Sequence, residues 1–198
     1  YAALATGGIC LHLEHYGRKP PLRGTALMAL AALARPECAI VFPLAMVDRW
    51  RAGWSLGETL RHYWTHIGLF ALLLAPWALF NYVYGSGLLP NTYYAKVGAY
   101  GLLGALTDGA WLRVGAAVFL YPLVQMQELV LFSVENNILL TLFAPLGCLA
   151  MIKKGKDSSW LIPLVLLGFP VLRGILAPFK GATFQEGRYA AYLVPLLT

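Results

Sequence analysis

A polar loop at residues 89–96 carries side chains suited to binding a phosphate at a membrane surface. The loop reads Leu-Pro-Asn-Thr-Tyr-Tyr-Ala-Lys and follows an apolar run at 63–84 that contains no Asp, Glu, Lys or Arg. Roughly 20 apolar residues cross the hydrocarbon core as a helix, so the loop is predicted to lie at a membrane surface. Lys96 offers a compact positive charge of the kind that binds phosphate, and Tyr93 and Tyr94 suit the headgroup layer. Together they predict a site for a lipid-linked phosphate.

The composition is that of an integral membrane protein. The chain is 59% hydrophobic and 12% charged, whereas charged residues make up about 25% of an ordinary soluble domain. The net charge of +6 does not predict nucleic-acid binding, because the basic residues are dispersed among apolar runs. The three cysteines lie in apolar runs without CxxC spacing, so we predict buried thiols and neither a disulfide framework nor a zinc site. No cofactor and no metal-ligating residues are predicted, and a requirement for a divalent metal is left open.

The basic residues predict the topology. Nine of the fifteen Lys and Arg residues fall in three polar stretches, at residues 18–23, 49–61 and 153–156. By the positive-inside rule these stretches face the cytoplasm. The loops at 85–109 and 178–188 then face outward, which places the protein in the cytoplasmic membrane with its site loops outside.

The second outward loop repeats the chemistry of the first. It holds Lys180 and ends in Gln-Glu-Gly-Arg-Tyr at 185–189, directly before the last apolar run. Positive charge on the outer side runs against the topology rule and needs another reason. An anionic lipid phosphate held by Arg188 and Lys96 would supply one.

Residues 24–47 predict a broken hairpin. They lie between two cytoplasmic stretches, are long enough for one crossing only, and are interrupted by Arg35-Pro36-Glu37. Proline disfavours helix at the residue before it, so we expect two half-length helices that dip into the membrane. Ionisable groups at such depth cost several kcal/mol unless they are paired or solvated, and they often mark function. Arg35 and Glu37 are therefore predicted to face one cavity, either as a structural ion pair or as substrate ligands.

The overall prediction is an all-α, polytopic transmembrane helical bundle with a broken half-helix hairpin and outward-facing substrate loops, forming one domain over residues 1–198. Between residues 110 and 152 the chain crosses once or three times. We favour a single crossing by 138–152, with 111–134 lying in or re-entering the outer interface. Both ends of the sequence fall inside apolar runs, which predicts an internal piece of a longer protein.

The remaining polar groups are predicted to be structural. Glu58, His62 and His66 recur at helical spacing, but without a metal-ligand signature they predict a polar face at the membrane boundary. His12 and His15, beside Arg18, are interpreted in the same way. The chain has no GxGxxG, Walker or GxSxG motif, so a soluble nucleotide substrate is not expected.

Three motifs in order resemble the GT-C membrane glycosyltransferases. They are Ala-Leu-Ala-Arg-Pro-Glu at 32–37, Leu-Pro-Asn-Thr-Tyr-Tyr-Ala-Lys at 89–96, and Gly-Arg-Tyr at 187–189 ahead of Leu-Val-Pro-Leu-Leu. The nearest likeness is to the mycobacterial-type terminal arabinofuranosyltransferases and their bacterial relatives. Cys38 stands where those relatives often have glycine.

The resemblance implies an inverting glycosyltransferase of the cell envelope. Such an enzyme takes a sugar from a polyprenyl-phosphate donor and transfers it to a glycan, glycolipid or protein acceptor on the outer face. The family's general base is a carboxylate in an outer loop that would precede Tyr1, so the catalytic residue is expected upstream. The resemblance implies that Lys96 and Arg188 bind the donor phosphate and that Arg35 and Glu37 line the cavity. Around the sugar or lipid head it implies Asn91, Tyr93, Tyr94, Glu186 and Tyr189.

Two other classes of function remain open. A transporter or lipid flippase also uses broken helices and buried charges, although it should place its polar groups near the membrane midplane. A catalytically idle membrane scaffold is the third possibility.

Overall fold

The computed structural model describes residues 1–85, 87–89, 101–136, 138–155 and 158–176, and the regular elements found there are all helical. This confirms the predicted all-α class. In chain order the helices are α1 (Ala2–Glu14), α2 (Leu22–Ala34), a 3₁₀ turn (Pro36–Ile40), α3 (Val41–Arg51), α4 (Leu56–Tyr84), α5 (Leu102–Thr107), α6 (Trp111–Gly115), a π-type segment (Ala116–Leu120), α7 (Tyr121–Asn136), α8 (Ile138–Lys153) and α9 (Leu161–Leu176).

Helices α1 and α2 pack antiparallel at close range. A Cβ on Gly8 would lie 2.7 Å from Met28 Cγ and 3.1 Å from the carbonyl oxygen of Gly24. Small residues at such a crossing let two backbones approach closely, which is a common way for helices to associate in membranes. The pairing brings the start of α1 to the end of α2.

The predicted break between α2 and α3 is confirmed. Arg35 leaves the helix with an extended backbone, at φ −147° and ψ 110°, as expected of a residue that precedes proline. The 3₁₀ turn then leads into α3, which returns along α2, so that Met28 and Phe42 line the same crevice. Helices of 13 and 11 residues are about 20 and 17 Å long, and each is too short to cross a ~30 Å hydrocarbon layer.

Among the described residues, two helices are long and apolar enough to cross a membrane. They are Leu56–Tyr84, of 29 residues, and Trp111–Glu135, of 25 residues, in which α6, the π-type segment and α7 run as one rod. Helix α4 begins at a capping box, in which the Ser55 and Glu58 side chains each accept from the other residue's backbone N–H.

The helix at 111–135 differs from the expectation for this region. We expected residues 111–134 to lie at the interface and residues 138–152 to cross. In the structure the longer apolar helix is the one at 111–135, whereas the shorter apolar segment is Leu142–Lys153. Residues such as Gln125 and Glu128 do not interrupt it, because hydrogen bonds within a helix satisfy the backbone whatever the polarity of the side chains.

The apolar core joins the hairpin to α4 and α9. Phe42 of α3 stacks on Phe70 of α4 with ring centroids 4.5 Å apart, and the buried side chains of Val165 and Phe169 belong to the same cluster. Beyond Phe70 many apolar side chains of α4 are exposed, among them Leu72, Leu79, Phe80 and Val83. Such exposure is expected of a helix whose outer part faces lipid.

Replacing Gly174 by alanine should separate α9 from α7. A Cβ at this position would lie 2.6 Å from the Pro122 nitrogen and 2.8 Å from the Tyr121 carbonyl carbon, and neither backbone can move cheaply. We expect Gly174→Ala to lower the free energy of unfolding by about 1–3 kcal/mol in detergent. Gly147→Ala is the matched control, because its Cβ would meet nothing within 4 Å and should be neutral or slightly stabilising. Equal stability of the two variants would contradict the packing described here.

Candidate functional site

The hairpin break places two charged residues at the turn between α2 and α3. The Arg35 guanidinium carbon lies 5.0 Å from the ring centroid of Tyr1, within the range of a cation–π contact. Glu37 lies in the first turn of the 3₁₀ segment, and both charged side chains are half-buried. The antiparallel packing of α1 against α2 thus supplies an aromatic neighbour for the arginine.

The ion pair considered for Arg35 and Glu37 is not formed. Among the described residues, the ion pairs within 4.0 Å do not include one between these two side chains. Arg35 has an extended backbone and Glu37 lies in the 3₁₀ turn, and the Arg35 guanidinium contacts the Tyr1 ring instead. The structure therefore favours separate roles for the two charges over a fixed pair.

The two outward loops carry the other predicted ligands. The predicted ligands there lie outside the described residues, namely Asn91, Tyr93, Tyr94, Lys96, Glu186, Arg188 and Tyr189. Their roles stay predictions.

A buried polar cluster that the sequence did not reveal lies at the other end of the hairpin. Asp48, fully buried in the last turn of α3, accepts from His12 Nε2 at 3.0 Å and from Ser159 Oγ at 2.6 Å. Its other oxygen accepts from the backbone N–H of Trp160 at 2.6 Å. Because a carboxylate only accepts, His12 carries its proton on Nε2. The Asp48 carboxylate thereby joins α1, α3 and the start of α9.

The environment keeps Asp48 ionised. Burial alone would raise the pKa of this carboxyl, but the hydrogen bonds from His12, Ser159 and Trp160 outweigh it, and the pKa lies below its usual value. The charge also faces the N-terminal end of α9, where free N–H groups favour an anion. Ser159 donates to the carboxylate rather than to the imidazole, so the His12, Asp48 and Ser159 side chains are not arranged as a nucleophilic triad.

Arg49 caps the end of α1. Its guanidinium is fully buried and donates to the carbonyl oxygens of His12 and His15, at 3.2 and 2.8 Å. A cation at a helix C-terminus satisfies free carbonyls and complements the helix dipole. The guanidinium carbon also lies 5.1 Å from the Tyr16 ring centroid and 5.9 Å from that of Trp54.

Arg51 joins the remaining loops. It donates to the carbonyl oxygens of Gly155 and Ser158 and to the Tyr16 hydroxyl, at 3.0, 2.5 and 3.0 Å. Its guanidinium carbon lies 4.2 Å from the centroid of the Trp160 ring. With the contacts of Arg49, these bonds bring the three basic stretches of the sequence to one end of the bundle, as the topology prediction requires.

The histidines differ from the expected polar boundary. His12 and His66 are buried at 3% and 4% exposure, and His66 Nδ1 lies 2.7 Å from Thr25 Oγ1. His62 packs against Trp54, with ring centroids 4.9 Å apart. The prediction of a shared polar face was wrong for His12 and His66, because each found a partner on a helix distant in sequence.

The prediction that the three cysteines are buried is correct for Cys38 and wrong for Cys10. Cys38 is fully buried, Cys148 is half-buried and Cys10 is exposed. Within the described ranges no three His, Cys, Asp or Glu side chains gather into a group that would hold a metal ion.

One signal could have found part of the polar cluster. Ser159 stands directly before the apolar run of α9, and serine is a typical residue at helix starts. Its hydroxyl accepts from Leu161 N–H at 3.1 Å as well as donating to Asp48. The His12 and Asp48 contact has no such signal, because 36 residues separate its partners.

No protein-family model, curated protein or solved structure matches the chain.

Proposed function

We propose that the protein is part of a membrane glycosyltransferase that takes a sugar from a polyprenyl-phosphate donor and passes it to a glycan, glycolipid or protein acceptor on the outer face. One observation carries the proposal. The Arg-Pro-Glu segment forms the turn of a half-length hairpin, and it precedes the two loop motifs in the order typical of the GT-C enzymes.

The hairpin supports a binding role for its turn. Arg35 and Glu37 are separate charges on a backbone that is not regular α-helix, and in a membrane such backbone is tolerated where it lines a protein or water-filled cavity. An arginine there is suited to a phosphate or a sugar hydroxyl, since its fork of donors binds oxygen atoms in pairs. Glu37 is suited to accept from a sugar hydroxyl.

The opposite end of the bundle supports a scaffold role. Around Asp48, Arg49 and Arg51 the hydrogen-bonding groups are directed at helix ends and loop carbonyls. We assign this end of the bundle to holding the helices in place. We assign substrate binding to the hairpin turn and the two outward loops.

The experiment that tests this division compares Arg35→Gln and Glu37→Gln in the full-length protein. Neither variant removes an ion pair between the two side chains, so we expect each to lower the free energy of unfolding by no more than about 1–2 kcal/mol. Sugar transfer should fall at least tenfold, since a hydrogen bond to a charged group contributes about 1.5–3 kcal/mol. Glu14→Gln, on an exposed side chain at the other end, is the control and should transfer as the parent does. Full activity in both hairpin variants would show that the hairpin turn does not bind substrate.

Topology gives a second prediction. In a background without the native cysteines, a cysteine at Gly87 or Gly181 should react with an impermeant thiol reagent added outside intact cells. One at Lys154 should react only after the cells are opened, because it lies in a basic stretch assigned to the cytoplasm. The reverse pattern would place the donor loops on the wrong side for a lipid-linked sugar.

A further inference from the structure

We propose that the end of the bundle where the three basic stretches meet is a binding surface for anionic phospholipid headgroups. The surface, called here the basic face, consists of six exposed side chains: Arg18, Lys19, Arg23, Arg61, Lys153 and Lys154. The inference does not depend on sugar transfer, because it concerns the opposite end of the molecule from the proposed donor site.

The fold gathers these charges from distant parts of the sequence. Arg51 donates to the Tyr16 hydroxyl in the first loop and to the Gly155 and Ser158 carbonyls in the third. Arg49 is bound to the carbonyls that end α1. The two arginines at the centre are therefore used internally, and the six cations around them point outward.

Little acidic charge balances the basic face in the part of it that the structure describes. Among the described residues of segments 14–23, 48–61, 151–155 and 158–160, Asp48 is fully buried and the exposed acids are Glu14 and Glu58. Glu58 already accepts from Ser55 N–H at the start of α4. The excess of positive charge needs counterions, and an anionic lipid surface supplies them at high local density.

The apolar neighbours of the basic face fit a lipid better than a soluble anion. Trp50 is 55% exposed at the end of α3, and Leu56 and Leu60 are 62% and 46% exposed in the first turns of α4. Tryptophan beside lysine and arginine is typical of the headgroup layer, where an apolar ring and a charge are accommodated together. A phospholipid offers both a phosphate and an acyl chain.

The other end of the bundle shows no such arrangement in its described part. Arg113 lies 3.7 Å from Asp108, and Arg173 is buried with its guanidinium 4.0 Å from the Glu128 carboxylate. Arg113 and Arg173 thus each have a carboxylate beside them. Arg113 therefore serves as a matched exposed cation outside the proposed surface.

The test titrates short-chain phosphatidylglycerol into the full-length protein in a neutral detergent and follows binding by native mass spectrometry. Phosphatidylcholine of the same chain length and inorganic phosphate are the comparison ligands. Two variants each remove three cations, Arg18→Gln with Lys19→Gln and Arg23→Gln, and Arg61→Gln with Lys153→Gln and Lys154→Gln. Arg113→Gln is the control.

We expect phosphatidylglycerol to bind the parent at least tenfold more tightly than phosphatidylcholine, and each triple variant to lose at least tenfold in affinity. Raising the salt to 1 M should weaken binding, because the screening length falls to about 3 Å. The control should bind as the parent does. Equal binding of the two lipids, unchanged binding by both triple variants, or equal saturation by inorganic phosphate would each overturn the proposal.

Discussion

Asp48→Ala is expected to lower the free energy of unfolding by about 3–5 kcal/mol, the largest stability effect that we anticipate for a single substitution. The change removes a fully buried carboxylate that accepts hydrogen bonds from His12, Ser159 and the Trp160 N–H. It also removes the anion that lies 3.8 Å from Arg51. A half-buried cation loses its countercharge and buried donors lose their acceptor, and unpaired buried polar groups are among the most costly changes in a folded protein.

The matched control is Asp108→Ala. The Asp108 side chain is 53% exposed and its contact with Arg113 spans 3.7 Å, so its loss should cost less than 1 kcal/mol. Both variants would be unfolded by denaturant in the same detergent and followed by circular dichroism. A loss below 1 kcal/mol for Asp48→Ala would show that water enters the polar cluster. It would also show that the hydrogen bonds from Asp48 to the start of α9 contribute little to the stability of the fold.

Lys96→Ala and Arg188→Ala should each reduce donor affinity or transfer rate by about ten- to a hundredfold. The estimate follows from the loss of one charge-assisted contact to a phosphate, worth roughly 1.5–3 kcal/mol. Arg188→Lys should recover activity only in part, because an ammonium cannot reproduce the two parallel bonds of a guanidinium. Transfer from a polyprenyl-phosphate sugar by the full-length protein is the measurement.

The control for these variants is Arg113→Gln, a cation exposed on the helix that follows the first loop. It should insert, fold and transfer as the parent does. Transfer at the parent rate by both alanine variants would show that the two loop cations do not bind the donor. Such a result would favour a transporter over a glycosyltransferase, since broken helices and buried charges serve transport as well.

Local chemistry made the hairpin predictable. Arg35 precedes a proline, and this one steric rule is enough to place the end of α2 and the start of a new element. The long helix α4 was predictable for a similar reason, because the apolar run at 63–84 has no Asp, Glu, Lys or Arg to interrupt it.

The polar cluster was not predictable, because it depends on contacts between distant segments. His12 was interpreted as a boundary residue, yet the hairpin carries Asp48 to it from 36 residues away. Likewise, Arg49 and Arg51 were counted as topology signals, while in the structure they bond to loop carbonyls and helix ends. A charge pattern predicts on which side of a membrane a residue lies, but not which backbone group it will bind.

The most direct test of the proposed function is sugar transfer by the purified full-length protein in lipid vesicles. The vesicles would contain one radiolabelled polyprenyl-phosphate sugar at a time, from a panel of sugars, together with acceptors of each class: glycan, glycolipid and protein. The proposal predicts that at least one donor loses its label to an acceptor, and that Lys96→Ala and Arg188→Ala slow this transfer. Movement of label across the bilayer without transfer to any acceptor, for every donor of the panel, would contradict the glycosyltransferase assignment and support a transporter.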